Sequence, residues 1–331
     1  MTTLKTSTAL NLYAGPEALL DYLDPAKQPP TPLVELPPEL NPEHREGVRV
    51  FAKLLFMTPV FNSKLIAARN LFDEARIDGR LEGVHTLVEN SSGNKILADA
   101  LLARLFGIKN VVAIVPHDIP PDKQALLELF GVKCRKELGG IAKARELGAE
   151  SGHWNPDQYA NQGNPRGFQY LLGRQLMYQT DSQLTVFCAG IGTGGTMLGT
   201  SRYLKGRHKV TTIGVIPSTN DVPGVRTKER LKEVDQPWAG AVDALPVVEA
   251  TDAYYRSLQL CSRGILAGPS SGMALEGLYR HLGCTSHAEL NRMRNANGEV
   301  VAVVACPDSC LLYLGKYSTR LSAEQMVEAI A

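Results

Sequence analysis

No surplus of either charge exists in this chain: 35 Lys+Arg stand against 34 Asp+Glu, a formal net charge of +1. The basic excess that would neutralise a phosphate backbone is missing, which argues against a nucleic-acid binder. Long apolar runs are missing too. The longest, Val111–Pro116, Leu184–Ala189 and Val300–Cys306, fall far short of a bilayer, so no membrane partner is expected. The start, MTTLKTSTALNLYAGPEALLDYLD, has no basic segment followed by an apolar stretch, so no secretory signal is expected. Cysteine is sparse. Cys134, Cys188, Cys261, Cys284, Cys306 and Cys310 are too scattered for a disulfide scaffold and suit a reducing cytoplasm. Cys306 and Cys310 lack a second pair and matched histidines, so they read as structural thiols, and no metal is expected. Low-complexity segments and heptad arrays are absent as well.

What is present is an ordinary globular composition, 44% hydrophobic and 21% charged, in a chain of 331 residues. That length accommodates two lobes. Residues 25–42 form a proline-rich arm with one short strand at 31–36. Strands at 51–55, 86–89, 111–115, 132–135, 184–189, 210–216 and 300–305 then alternate with helices at 63–75, 94–106, 168–179 and 253–262, and with helices reaching about 204 and 281. Gly107 and Gly131 close two successive helices with the left-handed residue that ends such elements. Continuous Val/Ile strands alternating with helices predict an α/β fold, two lobes each with a mainly parallel sheet covered by helices. The expected lobes are a smaller one at 45–165 and a larger one at 166–331. The arm 1–44 packs across them, and a connecting loop at 161–167 (NQGNPRG) divides them.

Ligands of such sheets bind beyond the carboxyl ends of strands. There the richest loop is Gly190-Ile191-Gly192-Thr193-Gly194-Gly195-Thr196. Its glycines let backbone N–H groups turn toward an anion, and the following helix start adds partial positive charge. Thr193 and Thr196 add hydroxyls. Met197 and Leu198 follow, not the Lys-Ser/Thr pair of a nucleoside-triphosphate loop. Gly190, Gly192 and Gly195 do fit the dinucleotide fingerprint, although the next strand ends in Pro217-Ser218-Thr219 without an acidic ribose ligand. A nicotinamide oxidoreductase, or an inert relative serving as a binding module, stays open on these residues. A second loop, Ser91-Ser92-Gly93-Asn94-Lys95, suits a carboxylate, and an ordinary helix cap accounts for it equally well. A third, Gly268-Pro269-Ser270-Ser271-Gly272, reads the same way. Together the three could ring a small ligand bearing a phosphate and a carboxylate. Lys64 opens a helix, where a cation opposes the macrodipole. That placement makes sense for a nucleophilic amine of lowered pKa.

In this order the motifs resemble the cysteine synthase/cystathionine β-synthase family of pyridoxal-phosphate enzymes (fold type II, tryptophan synthase β-like), over roughly residues 31–314. The resemblance implies pyridoxal 5'-phosphate as cofactor, with Lys64 as the Schiff-base lysine and catalytic base. Asn94 contacts the cofactor's phenolic oxygen. Gly192, Thr193, Gly194, Gly195 and Thr196 form the phosphate cup, and Ser270 faces the pyridine nitrogen. Pro307-Asp308-Ser309 resembles a family segment beside the cofactor. Ser91, Ser92, Gly93, Lys95 and Gln158 fall on the substrate-carboxylate positions. The implied reaction is β-replacement on O-acetylserine or O-phosphoserine by sulfide or another small nucleophile, through an aminoacrylate. β-Elimination of the cysteine desulfhydrase kind is the alternative. A homodimer is implied. A serine at the pyridine nitrogen makes a weaker electron sink than a carboxylate would, which favours prompt loss of a β leaving group. Lys95 stands where the family has threonine, and Arg226 and Lys228 where many synthases are glycine-rich and apolar. One of these cations is expected to meet an anionic leaving group or second substrate. His85, His117 and His153 fall in no matched motif and read as structural.

Overall fold

The computed structural model describes residues 5–331. Its strands are β1 (Leu33–Glu35), β2 (Val48–Leu54), β3 (Thr86–Asn90), β4 (Asn110–Val115), β5 (Val132–Lys136), β6 (His153–Trp154), β7 (Val186–Gly190), β8 (Thr211–Pro217), β9 (Val247–Val248) and β10 (Val300–Cys306). They form a four-stranded sheet, β5-β4-β3-β6, and a six-stranded sheet, β1-β2-β10-β7-β8-β9. All pairings are parallel except β1 with β2. Helices cover both sheets, and every residue of β10 is buried. Its uninterrupted VVAVVAC run is what a strand buried on both faces requires.

The chain divides into two compact units. The first comprises the chain up to Pro30, Thr58–Val60 and Lys64–Gly167, and the second Thr31–Met57, Phe61–Ser63 and Phe168–Ala331. The arm is therefore split. Arg69 donates to Leu20 O at 2.6 Å, tying the early arm to the first unit, while Leu36 and Leu40 enter the core of the second. β2 also belongs to the second unit. It pairs in register with β10 from Val48↔Val300 to Leu54↔Cys306, and Val48, Val50 and Ala52 pack with Val186, Ile213 and Val304. An expected lobe starting at 45 had grouped this strand with its sequence neighbours.

Local departures have physical causes. Residues 161–167 are not simply a loop: a helix runs Gly163–Tyr170, and a second follows at Leu172–Gln179. The glycines here serve close approach. A Cβ at Gly163 would lie 2.7 Å from Glu74 Oε2, and one at Gly167 would lie 2.8 Å from Ile66 O. Both contacts bring this helix against Lys64–Ile77. Helices at Gly140–Gly148, Leu314–Arg320 and Ala323–Ile330, and the two-residue β6, are additions to the sequence reading. Gly107 and Gly131 have φ of 79° and 71°, the left-handed values expected after the helices they follow.

Lys53 on β2 is fully buried without a carboxylate partner. Its Nζ donates to Thr31 O and Gln179 Oε1, both at 2.7 Å. A neutral amine has two N–H donors, and these two acceptors use both. Burial pushes the amine down to about 7. Between that value and the ordinary 10.5, the unfolded chain binds a proton that the folded one does not, so stability from this group grows as pH rises. The thermal midpoint should therefore climb between about pH 7 and pH 9, and the climb should shrink in Lys53→Met. Equal climbs in the two proteins would remove Lys53 as the cause.

Candidate active site

In the second unit, β7 ends at Gly190 and the chain enters the glycine-rich turn before the Gly195–Lys205 helix. Gly194 caps that helix at φ 78°, a conformation costly for any residue with a Cβ. A Cβ at Gly192 would sit 2.3 Å from Gly224 O, and one at Gly190 would sit 2.8 Å from Val225 Cγ1 and 3.8 Å from Ser270 O. Arg226 N–H donates to Ile191 O at 2.9 Å. The turn is thus walled by backbone on one side and by the start of the Pro269–Gly283 helix on another. Thr193 Oγ1 accepts from Gly195 N–H at 3.4 Å. Such a cradle of backbone at a helix start is an anion site.

Ser270, 2% exposed, is the second residue of the Pro269–Gly283 helix. Its hydroxyl donates to Asp308 Oδ1 at 3.4 Å, and Tyr313 OH donates to the other oxygen of Asp308. Ser63 N–H donates to Pro307 O at 2.7 Å, and Asn62 bridges to Asp308. The residues just before Lys64 are therefore fastened to the end of β10. The expected cup and the expected ring serine both lie in this unit, and the expected Pro307–Ser309 segment meets Ser270 through Asp308 as acceptor.

In the first unit, β3 runs into Ser91-Ser92-Gly93 and the Asn94–Leu105 helix. Ser91, Ser92, Gly93 and Asn94 are half-buried, and Ser91 Oγ accepts from Gly93 N–H at 3.4 Å. Gln158 lies at this loop: its Nε2 donates to Asn90 O at 3.3 Å, as does Tyr159 OH at 3.1 Å. Lys64 is half-buried and opens the Lys64–Ile77 helix in the same unit.

Two cations depart from expectation. Lys95 does not face a ligand: its Nζ is sealed inside the first unit, 2.5 and 2.7 Å from the oxygens of Asp99 and 3.8 Å from Glu89 Oε2. Four residues along a helix bring Lys95 and Asp99 onto one face, and that face is the buried one. Arg226 is likewise committed, to Glu233 at 2.6 Å. Lys228 is exposed. Glu89 and Asp99 went unread, although the i, i+4 spacing of Lys95 and Asp99 was the available signal. His85 Nδ1 sits 2.9 Å from Thr86 Oγ1, with its ring edge-on to His153. Among the thiols, burial pushes Cys306 up to about 12, while a hydrogen bond with Cys261 brings Cys310 down to about 7. Among the described residues no cluster of His, Cys, Asp or Glu could hold a metal, and no helix is long and apolar enough to cross a membrane.

A family model described as pyridoxal-phosphate dependent enzyme matches residues 26–306. The chain belongs to that family. Cysteine synthase B of Escherichia coli (strain K12) is 30% identical over 262 residues, covering 76% of this chain and 84% of the relative. Cysteine synthase of Aquifex aeolicus (strain VF5) is 30% identical over 258 residues, covering 74% and 78%. Among solved structures, cysteine synthase from Entamoeba histolytica superposes with a TM-score of 0.78 at 20% identity, covering 100% of this chain and 99% of that one. The O-acetylserine dependent cystathionine beta-synthase from Helicobacter pylori gives 0.74 at 24% identity, covering 86% and 94%. The fold is that of type II pyridoxal-phosphate enzymes, and the cofactor is pyridoxal phosphate. Gly190, Gly192 and Gly195 accordingly belong to a pyridoxal-phosphate enzyme, and the nicotinamide reading is set aside. The residues fit a phosphate: the turn leaves no room for side chains at Gly190 or Gly192 and presents backbone at a helix start.

Proposed function

We propose that this enzyme carries out β-replacement on an activated serine, joining sulfide or a comparable small nucleophile to Cβ with loss of acetate or phosphate. The observation that carries this reading is the Gly192–Thr196 cradle, packed against Gly224 O at Gly192 and following Gly190, which lies close to Ser270, in a member of this family whose relatives include cysteine synthases of Escherichia coli and Aquifex aeolicus. Residues 192–196 would hold the cofactor phosphate by backbone N–H groups and the Thr193 and Thr196 hydroxyls. By the family resemblance, Ser270 would meet the pyridine nitrogen, Asn94 the phenolic oxygen, and Lys64 would carry the cofactor through its amine. Bound pyridoxal phosphate supplies the electron sink that makes the substrate Cα–H acidic. The Lys64 amine would take that proton as general base. Ser91, Ser92, Gly93 and Gln158 hold the substrate carboxylate.

With Lys95 paired to the buried Asp99 and Arg226 to Glu233, neither supplies a cation for an anionic leaving group. O-Acetylserine and O-phosphoserine are therefore to be compared directly. Purified protein mixed with either one and sulfide should form cysteine. Formation of pyruvate and ammonia at the same rate with or without sulfide would instead establish a lyase. We also place the enzyme in the cytoplasm as a homodimer, to be checked by fractionation and by light scattering.

A further inference from the structure

Lys95, Glu89 and Asp99 form a closed electrostatic system, with side-chain exposures of 1%, 1% and 0%. One ammonium faces two carboxyls where no water reaches. If all three were ionised, an uncompensated negative charge would be buried, which is costly. Lys95 engages both oxygens of Asp99, leaving Glu89 to hold a proton. Burial pushes the Glu89 carboxyl up to about 8 against the pull of Lys95. The other charges facing it are Asp99 and Asp157, which also raise it. Asp157 is in turn held by Arg145 at 2.7 Å.

Glu89 is more than a spectator. Its Oε1 accepts the Asn90 N–H at 2.9 Å and its Oε2 the Gln158 N–H at 3.3 Å. One carboxyl therefore fastens the start of the Asn90–Asn94 turn to the Asp157–Tyr159 segment. The carbonyl of Asn90 closes the same link by accepting from Gln158 and Tyr159. We propose that Lys95, Asp99 and Glu89 are positioning residues whose charge balance sets the spacing between the Ser91–Asn94 turn and Gln158, and so the grip on an amino-acid α-carboxylate. The inference rests on the function proposed above. It gives Lys95 a role without substrate contact.

The test uses holoenzyme and L-serine, which has the carboxylate and amine but no activated leaving group. The dissociation constant is read from the change in the bound cofactor's visible band. Lys95→Met leaves two acids without a counter-charge and should weaken binding about tenfold or more. Lys95→Met/Asp99→Leu removes the imbalance and should return binding to within about threefold of wild type. A double variant as weak as the single one would mean that Lys95 acts on the substrate itself and would overturn the proposal. So would a single variant binding as wild type does. If Lys95→Met does not fold, the double variant and Glu89→Gln carry the test.

Ionisation of Glu89 places a negative charge beside the carboxylate site. Wild-type affinity should therefore fall, relative to Glu89→Gln, as pH rises from about 7 to 9, by at most about tenfold per pH unit. Identical pH profiles would refute the proposal. Failure of the underlying function would look different, as a wild type that forms no cysteine from either activated serine and whose cofactor band L-serine leaves unchanged. The cluster is then read from thermal midpoints. A carboxyl raised in the folded state makes stability fall as pH rises from about 5 to 8. That fall should be absent in Glu89→Gln, and an equal fall in both proteins would overturn the proposed charge balance.

Discussion

Lys64→Ala is expected to yield a folded protein with no borohydride-lockable cofactor band and with turnover reduced by a factor of about a thousand or more. On the proposed reading two roles are lost together: the amine that would hold the cofactor covalently and the amine that would remove the Cα proton. The side chain is half-buried at the start of its helix, so its removal leaves no large cavity and the thermal midpoint should change little. That combination separates chemistry from stability. Added pyridoxal phosphate should still bind the variant weakly at the Gly192–Thr196 turn, without reduction locking it in place. A variant with its band and rate intact would remove Lys64 from the mechanism.

Gly272→Ala should have the largest effect on stability. The Pro269–Gly283 helix crosses the Ala250–Ser262 helix so closely that a Cβ at Gly272 would stand 2.1 Å from Ala253 O and 2.4 Å from Ser257 N. Both obstacles are backbone, so no side chain can swing away. Overpacking of this kind costs roughly 3 kcal/mol or more, or about 6–12 °C in thermal midpoint. Because Ser270 lies two residues away on the same helix, cofactor affinity should fall with stability. Gly283→Ala, at the helix's last residue, meets only Glu43 Oε1 at 3.7 Å and should be neutral or slightly stabilising. Equal midpoints for the two variants would refute the account.

Gly272 also shows where reading the chain by itself stops. In the sequence it completes a small-residue loop of ligand-binding appearance, whereas in three dimensions it is a point of contact between helices. The same holds for Gly163 and Gly167, whose composition suggests a linker and whose positions serve packing. Strands such as β4, β7 and β10 were legible because burial on both faces demands unbroken apolar runs, and that signal is local. The pairing of β2 with β10 was not legible, since nothing near Val48 names a partner at Val300. Lys95 misled for a related reason. Its place in the Ser91–Lys95 loop suggested a cation for an anionic ligand, and although Asp99 lies four residues on, only the packing around the pair reveals that water is excluded. The glycine turn and the Ser270 loop were legible as candidate sites because a glycine-rich segment between strand and helix is a local signal.

The insertion of β2 against β10 bears on how the polypeptide emerges from the ribosome. Val48–Leu54 leaves the exit tunnel early, and the strand that will cover it follows roughly 250 positions later, about 12–50 s at ordinary elongation rates. During that interval the body of the first unit, Lys64–Gly167, is already complete and can collapse, while an apolar ribbon upstream of it waits with its parallel-side hydrogen-bonding edge vacant. Nascent chains stalled before Val300 should therefore be the species that chaperones capture and that aggregates in their absence.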